Sequence, residues 1–131
     1  MKKCIVVVFG TFDILHPGHL QFLKAAKRYG TELIVVVTRD SAVRFQKHRA
    51  PLMHEREREA MVNALRCVDR AVLGDAPGRW TMITKLKPDV ICIGHDQDVA
   101  HPALATHSIR IVRIPAKNPK RYRSSRFRTE L

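Results

Sequence analysis

His16 and His19 are the residues in this chain best placed to do chemistry on a phosphate. They stand three apart in the run Gly10-Thr11-Phe12-Asp13-Ile14-Leu15-His16-Pro17-Gly18-His19. Side chains at i and i+3 share a helix face. Pro17 suits a first helical turn, where its missing N–H is no loss. Two imidazoles at a helix start add donors to the free backbone N–H groups and partial positive charge already there. Gly10 and Gly18 let a ligand approach the backbone. Together Gly10, Thr11, Phe12, His16, Gly18 and His19 read as a site for a phosphate under attack. The same pair could ligate a metal, but no third ligand lies nearby, so no protein-held metal is assigned.

These side chains need a strand before them and a helix after them. Strand-like runs occur at Cys4–Phe9, Leu33–Thr38, Ala71–Leu73, Val90–Ile93 and Ile109–Ile114. Most are continuously apolar, as in parallel strands covered on both faces. Helical spacing appears in Leu20, Phe22, Leu23 and Ala26, in Met61, Leu65 and Val68, and in Trp80, Ile83 and Leu86. The alternation predicts an α/β fold: one doubly wound, Rossmann-like parallel sheet with helices on both faces. Such sheets bind ligands beyond the carboxyl ends of their strands. Asp13 and Asp40, near the ends of the first two strands, are the candidates for acceptor binding.

Arg58 is a second clue. The spacing places it on the inward face of the segment 54–66 with Met61 and Leu65. A cation there opposes both burial and the helix dipole. An anion in the cleft would remove the conflict, and on that reading an apolar replacement leaves stability intact. Arg44, Lys47 and Arg49 read as a mobile basic loop able to close over a bound anion.

The 131 residues are enough for one domain, 1–131. Residues 115–131 form a Lys/Arg-rich segment that by composition alone is a solvated tail. The net charge of +12 favours polyanionic partners. With aromatics at 6% and no aromatic–basic repeat, a nucleic-acid platform is not favoured. The three scattered cysteines argue against a disulfide framework or zinc site. No apolar run reaches the length of a membrane span, so a cytoplasmic protein is expected.

The stretch from Gly10 to His19 resembles the signature of the cytidylyltransferase-like nucleotidyltransferases, and the resemblance extends from Val6 to Phe127. Members join a nucleoside triphosphate to a phosphorylated acceptor and release pyrophosphate. The resemblance implies phosphate contacts from His16 and His19, a phosphate-binding lysine at Lys47 and a phosphate-binding arginine at Arg58. It implies base and ribose contacts at Gly94 and Asp96, and phosphate contacts at Ser124, Ser125 and Arg126. It further implies Mg²⁺ carried by the triphosphate, and a homodimer. The run Gly94-His95-Asp96-Gln97 departs from the Gly-Asp-Asp-Trp common in cytidylyl members and is more like the archaeal FAD synthases. ATP and FMN are therefore the first choice of substrates, CTP and glycerol 3-phosphate the second. A non-catalytic basic module that binds nucleotide or RNA is the alternative of another class.

Overall fold

The computed structural model describes residues 2–95, 97 and 108–116. Five strands form one sheet: β1 (Ile5–Gly10), β2 (Glu32–Val37), β3 (Arg70–Leu73), β4 (Val90–Ile93) and β5 (Arg110–Arg113). All neighbours are parallel, in the order β3-β2-β1-β4-β5. The expected doubly wound sheet is thus present. The helices are α1 (Pro17–Lys27), α2 (Asp40–Lys47), α3 (Glu55–Asn63) and α4 (Thr81–Leu86).

The strand runs are apolar because both sheet faces are covered. Val6, Val8, Leu33, Val35 and Val37 pack with Leu23 and Ala26 of α1 and Val62 of α3. Val7, Ile34, Val36, Ile91 and Ile93 pack on the other face with Leu86 of α4. Chain order reverses at β1: the chain moves from β1 outward to β2 and β3, then crosses through α4 to β4 on the far side of β1. The β1–β4 border is the switch point, where such sheets place their ligands.

Two expectations need correction. The segment read as a basic loop is largely helix α2, which holds Arg44 and Lys47; only Arg49 lies beyond it. Its short apolar stripe, Ala42 and Val43, is buried. Asp40 sits in its first turn, Arg44 and Lys47 in its last, as the dipole favours. The helix stops at His48, whose φ is 57°. On α3 the buried face is Arg58 and Val62, not Met61, which is 54% exposed. Arg58 faces inward as its spacing predicts, with Val62 and Leu65 as its apolar companions. Among the described residues no helix is long and apolar enough to cross a membrane.

Candidate active site

The start of α1 is built from both sides. Pro17 occupies the first turn and His16 is the N-cap, with extended backbone and a side chain turned back on the helix. Its Nδ1 accepts a hydrogen bond from Gly18 N at 3.1 Å. An accepting Nδ1 places the proton of the neutral ring on Nε2, which can then donate to a ligand. His19 lies one turn on, with its ring stacked on His16 at 3.8 Å and 27°. Phe12 meets the His19 ring edge-on at 5.2 Å. His19 Nδ1 is buried and has no hydrogen-bond partner among the described residues.

Burial lowers the pKa of His16. For His19, burial and then the charge of His16 push it down to about 3. Both rings are therefore neutral at pH 7 when no anion is bound. A phosphate would favour their charged forms.

Phe12 explains Gly10. Its φ is 51°, and its buried ring folds back over β1. A Cβ on Gly10 would lie 2.6 Å from Phe12 Cε2 and 2.8 Å from Cζ. The glycine makes room for the ring that supports His19.

Arg58 has the clearest departure from expectation. Its side chain is fully enclosed, and its charge is met by protein groups. Nη2 donates to Asp40 Oδ1 at 2.6 Å, Nη1 to Thr11 O at 2.8 Å and to Thr38 O at 2.7 Å, and Nε to Met53 O at 3.0 Å. The conflict with burial is real, but Asp40 and three carbonyls resolve it in place of a bound phosphate. Arg58 ties together the turn after β1, the end of β2 and the loop before α3. Asp40 also accepts from Glu55 N at 3.3 Å, while Glu55 Oε1 accepts from Asp40 N at 2.8 Å. Burial alone would raise the Asp40 pKa; the hydrogen bonds from Arg58 and Glu55, with the charges of Arg58 and His54, outweigh it and hold the carboxyl below its ordinary value.

Asp13 is likewise held by the protein. Buried, it accepts from Leu52 N at 2.9 Å and Met53 N at 2.8 Å. Asp13 and Asp40, the expected acceptor-binding residues, anchor the loop that precedes α3 and the start of α2. Lys47 is exposed in the last turn of α2.

Beyond β4, Gly94 begins a turn in which Gln97 N donates to Gly94 O at 3.3 Å. Arg113, at the end of β5, donates from Nη1 to Gly94 O, His95 O and Gln97 O at 3.0–3.1 Å. Neither Gln97 nor Arg113 was singled out from the sequence as a site residue. Gln97 lay in a motif already marked, but its long-range partners leave no local signal. Asp96, Ser124, Ser125 and Arg126 lie outside the described residues. The structure thus brings Gly10, Thr11, Phe12, His16, Gly18 and His19 together at one end of the sheet, and Gly94 follows the adjoining strand.

Residues 7–130 match the family described as Cytidylyltransferase-like. The chain belongs to the cytidylyltransferase-like family. Among its relatives is a FAD synthase of Archaeoglobus profundus, 44% identical over 126 residues, 92% of this chain and 80% of that protein. A FAD synthase of Archaeoglobus fulgidus is 50% identical over 88 residues, 67% of this chain and 63% of that protein. The crystal structure of a lipopolysaccharide core biosynthesis protein from Thermoplasma volcanium superposes with a TM-score of 0.79 at 38% identity. It covers 86% of this chain and 97% of its own.

Proposed function

We propose that this protein is an FMN adenylyltransferase: it transfers AMP from ATP to FMN, forming FAD and pyrophosphate. The likeness to two FAD synthases carries the choice of substrates. The paired histidines support the chemistry. The FMN phosphate attacks the α-phosphorus in line, a P–O bond forms, and the bond to pyrophosphate breaks. The attacking phosphate is already an anion at pH 7, so no general base is needed. What the protein supplies is position and charge. The capping bond accepted by His16 Nδ1 leaves the proton of the neutral ring on Nε2, as a donor for phosphate oxygen. His19 is held by Phe12 and by His16. The α1 N-terminus adds its partial positive charge.

Among the described residues no group of three or more His, Cys, Asp or Glu side chains is arranged to hold a metal. Mg²⁺ therefore enters this proposal as the ion that accompanies the triphosphate. When bound it would neutralise phosphate charge.

The deciding experiment is pyrophosphate release across the four nucleoside triphosphates with FMN and with glycerol 3-phosphate. ATP with FMN should give FAD and pyrophosphate. Turnover with CTP and glycerol 3-phosphate, and none with FMN, would replace this reading by the cytidylyl one. Binding of nucleotide or RNA with no turnover on any pair would leave a non-catalytic module.

A further inference from the structure

The sheet is zipped unevenly. β1 and β2 pair to the last residue, Gly10↔Val37. β4 and β5 pair through Ile93↔Arg113. Between them, β1 and β4 stop pairing at Val8↔Cys92. The border that opens early is the switch point of the fold.

The carboxamide of Gln97 fills that opening. Its Nε2 donates to Phe9 O at 2.9 Å, and its Oε1 accepts from Gly94 N at 2.7 Å. Phe9 is the first β1 residue past the last paired position, and Gly94 directly follows β4. One side-chain amide therefore acts as a peptide would in a ladder, with a donor to one strand end and an acceptor for the other. It is held from outside: Arg113 Nη1 grips the carbonyls of residues 94, 95 and 97. On the β1 side the bond falls within the strand, on the residue just before Gly10, after which the loop that carries Phe12 leads to His16.

We propose that Gln97 is a positioning residue for nucleotide binding and transfer. Its carboxamide holds the mouth of the β1–β4 crevice and locks the turn after β4 to the loop that sets His16 and His19. The inference rests on the nucleotidyl-transfer reading for its kinetic consequence, but not for its structural one. Gln97 itself need touch neither phosphate nor acceptor. An apolar residue of similar length removes both bonds; a glutamate keeps the acceptor for Gly94 N and loses the donor to Phe9 O.

The test compares wild type with Gln97→Met and Gln97→Glu by three measurements: thermal melting, amide hydrogen exchange of residues 10–15, and ATP affinity by calorimetry. Both variants should melt within a few degrees of wild type. Exchange in residues 10–15 should quicken about tenfold or more, although these residues lie far from 97 in sequence. ATP should bind about tenfold more weakly, and where transfer is measured kcat should fall as well as KM rise. Unchanged exchange and affinity would overturn the proposal. So would an affinity loss that only follows a large fall in melting temperature, or failure of both variants to fold, since Gln97 would then be a folding residue alone. If wild type binds ATP but makes no FAD, the choice of acceptor fails while exchange and affinity still decide the role of Gln97.

Discussion

Replacing Arg58 by methionine distinguishes a phosphate-binding arginine from a structural one. A ligand-binding arginine on the inner face of α3 would be a burden to the free protein, and Arg58→Met would leave stability level or improved. The structure predicts the opposite. Arg58 makes one bond to the Asp40 carboxylate and three to carbonyls, all between 2.6 and 3.0 Å. Removing one partner of a buried ion pair costs roughly 3–5 kcal/mol. The three carbonyls add roughly 1 kcal/mol each where water cannot reach them. Even partial relaxation leaves a loss of about 4 kcal/mol, against about 5–15 kcal/mol for a whole domain. For a chain of this size that corresponds to a melting temperature lower by roughly 10–15 °C. Urea unfolding followed by the fluorescence of Trp80, the single tryptophan, measures it. Arg58→Lys keeps the charge but not the planar fork, and should fall about midway. Asp40→Asn in the Arg58→Met background should recover part of the loss, because the stranded carboxylate is gone. A loss below about 1 kcal/mol in Arg58→Met, with weakened nucleotide binding, would refute the structural assignment and restore the phosphate one.

Three further outcomes are expected. His16→Ala and His19→Ala should each lower turnover by about 100-fold or more; His16→Ala should also lose about 1 kcal/mol of stability with the N-cap, and near-wild-type pyrophosphate release in both would sink the site. The His19 pKa is about 3 in the folded protein against an ordinary 6.5, so the unfolded chain takes up a proton below pH 6.5 that the folded one refuses. This contribution to stability is fully present above pH 6.5 and declines as pH falls toward 3, by roughly 1 kcal/mol between pH 7 and 5 after allowance for partial exposure; urea midpoints should show a slope that His19→Phe flattens, and an equal slope in both proteins would remove His19 as its source. Gly10→Ala should destabilise by roughly 1–3 kcal/mol and weaken triphosphate binding, because the new methyl displaces the Phe12 ring; an unchanged melt and affinity would mean that Phe12 does not support His19.

The sequence makes some of this legible and hides the rest for identifiable reasons. The histidine pair at the start of α1 is readable because its signals are local: Pro17 at a helix start, histidines one turn apart, an apolar strand before them. The inward position of Arg58 was also readable, from helical phase. Its partner was not, because Asp40 lies 18 residues away in a segment whose charges masked the two buried residues of α2. Asp13 has the same history: its partners, the amides of residues 52 and 53, are 39 and 40 positions distant. Backbone amides carry no side-chain signal to read. The apolar run at Ile109–Ile114 predicts a strand, and among the described residues β5 is an edge strand with Ile111 37% exposed, so the run locates the element but not its burial.

Strand order also sets the sequence in which this fold can assemble. Around β1 and β2, the bond from Cys4 N to Thr31 spans 27 residues, and the bond from Leu33 N to Asp69, at the entry to β3, spans 36. At the foot of the β1–β4 border, Ile5 N reaches Asp89 across 84. Closing the longer loop costs only about 1 kcal/mol more than the shortest, too little to matter for the finished protein. In time it matters more, because that entropy is lost before any contact rewards it. The half-sheet β1–β2–β3, with the histidine helix already attached, should therefore form first, and β4 should dock on it afterwards. The crevice at the switch point is then completed by the last strands to arrive. A nascent chain could present its histidine-bearing helix well before it has the other wall of the crevice.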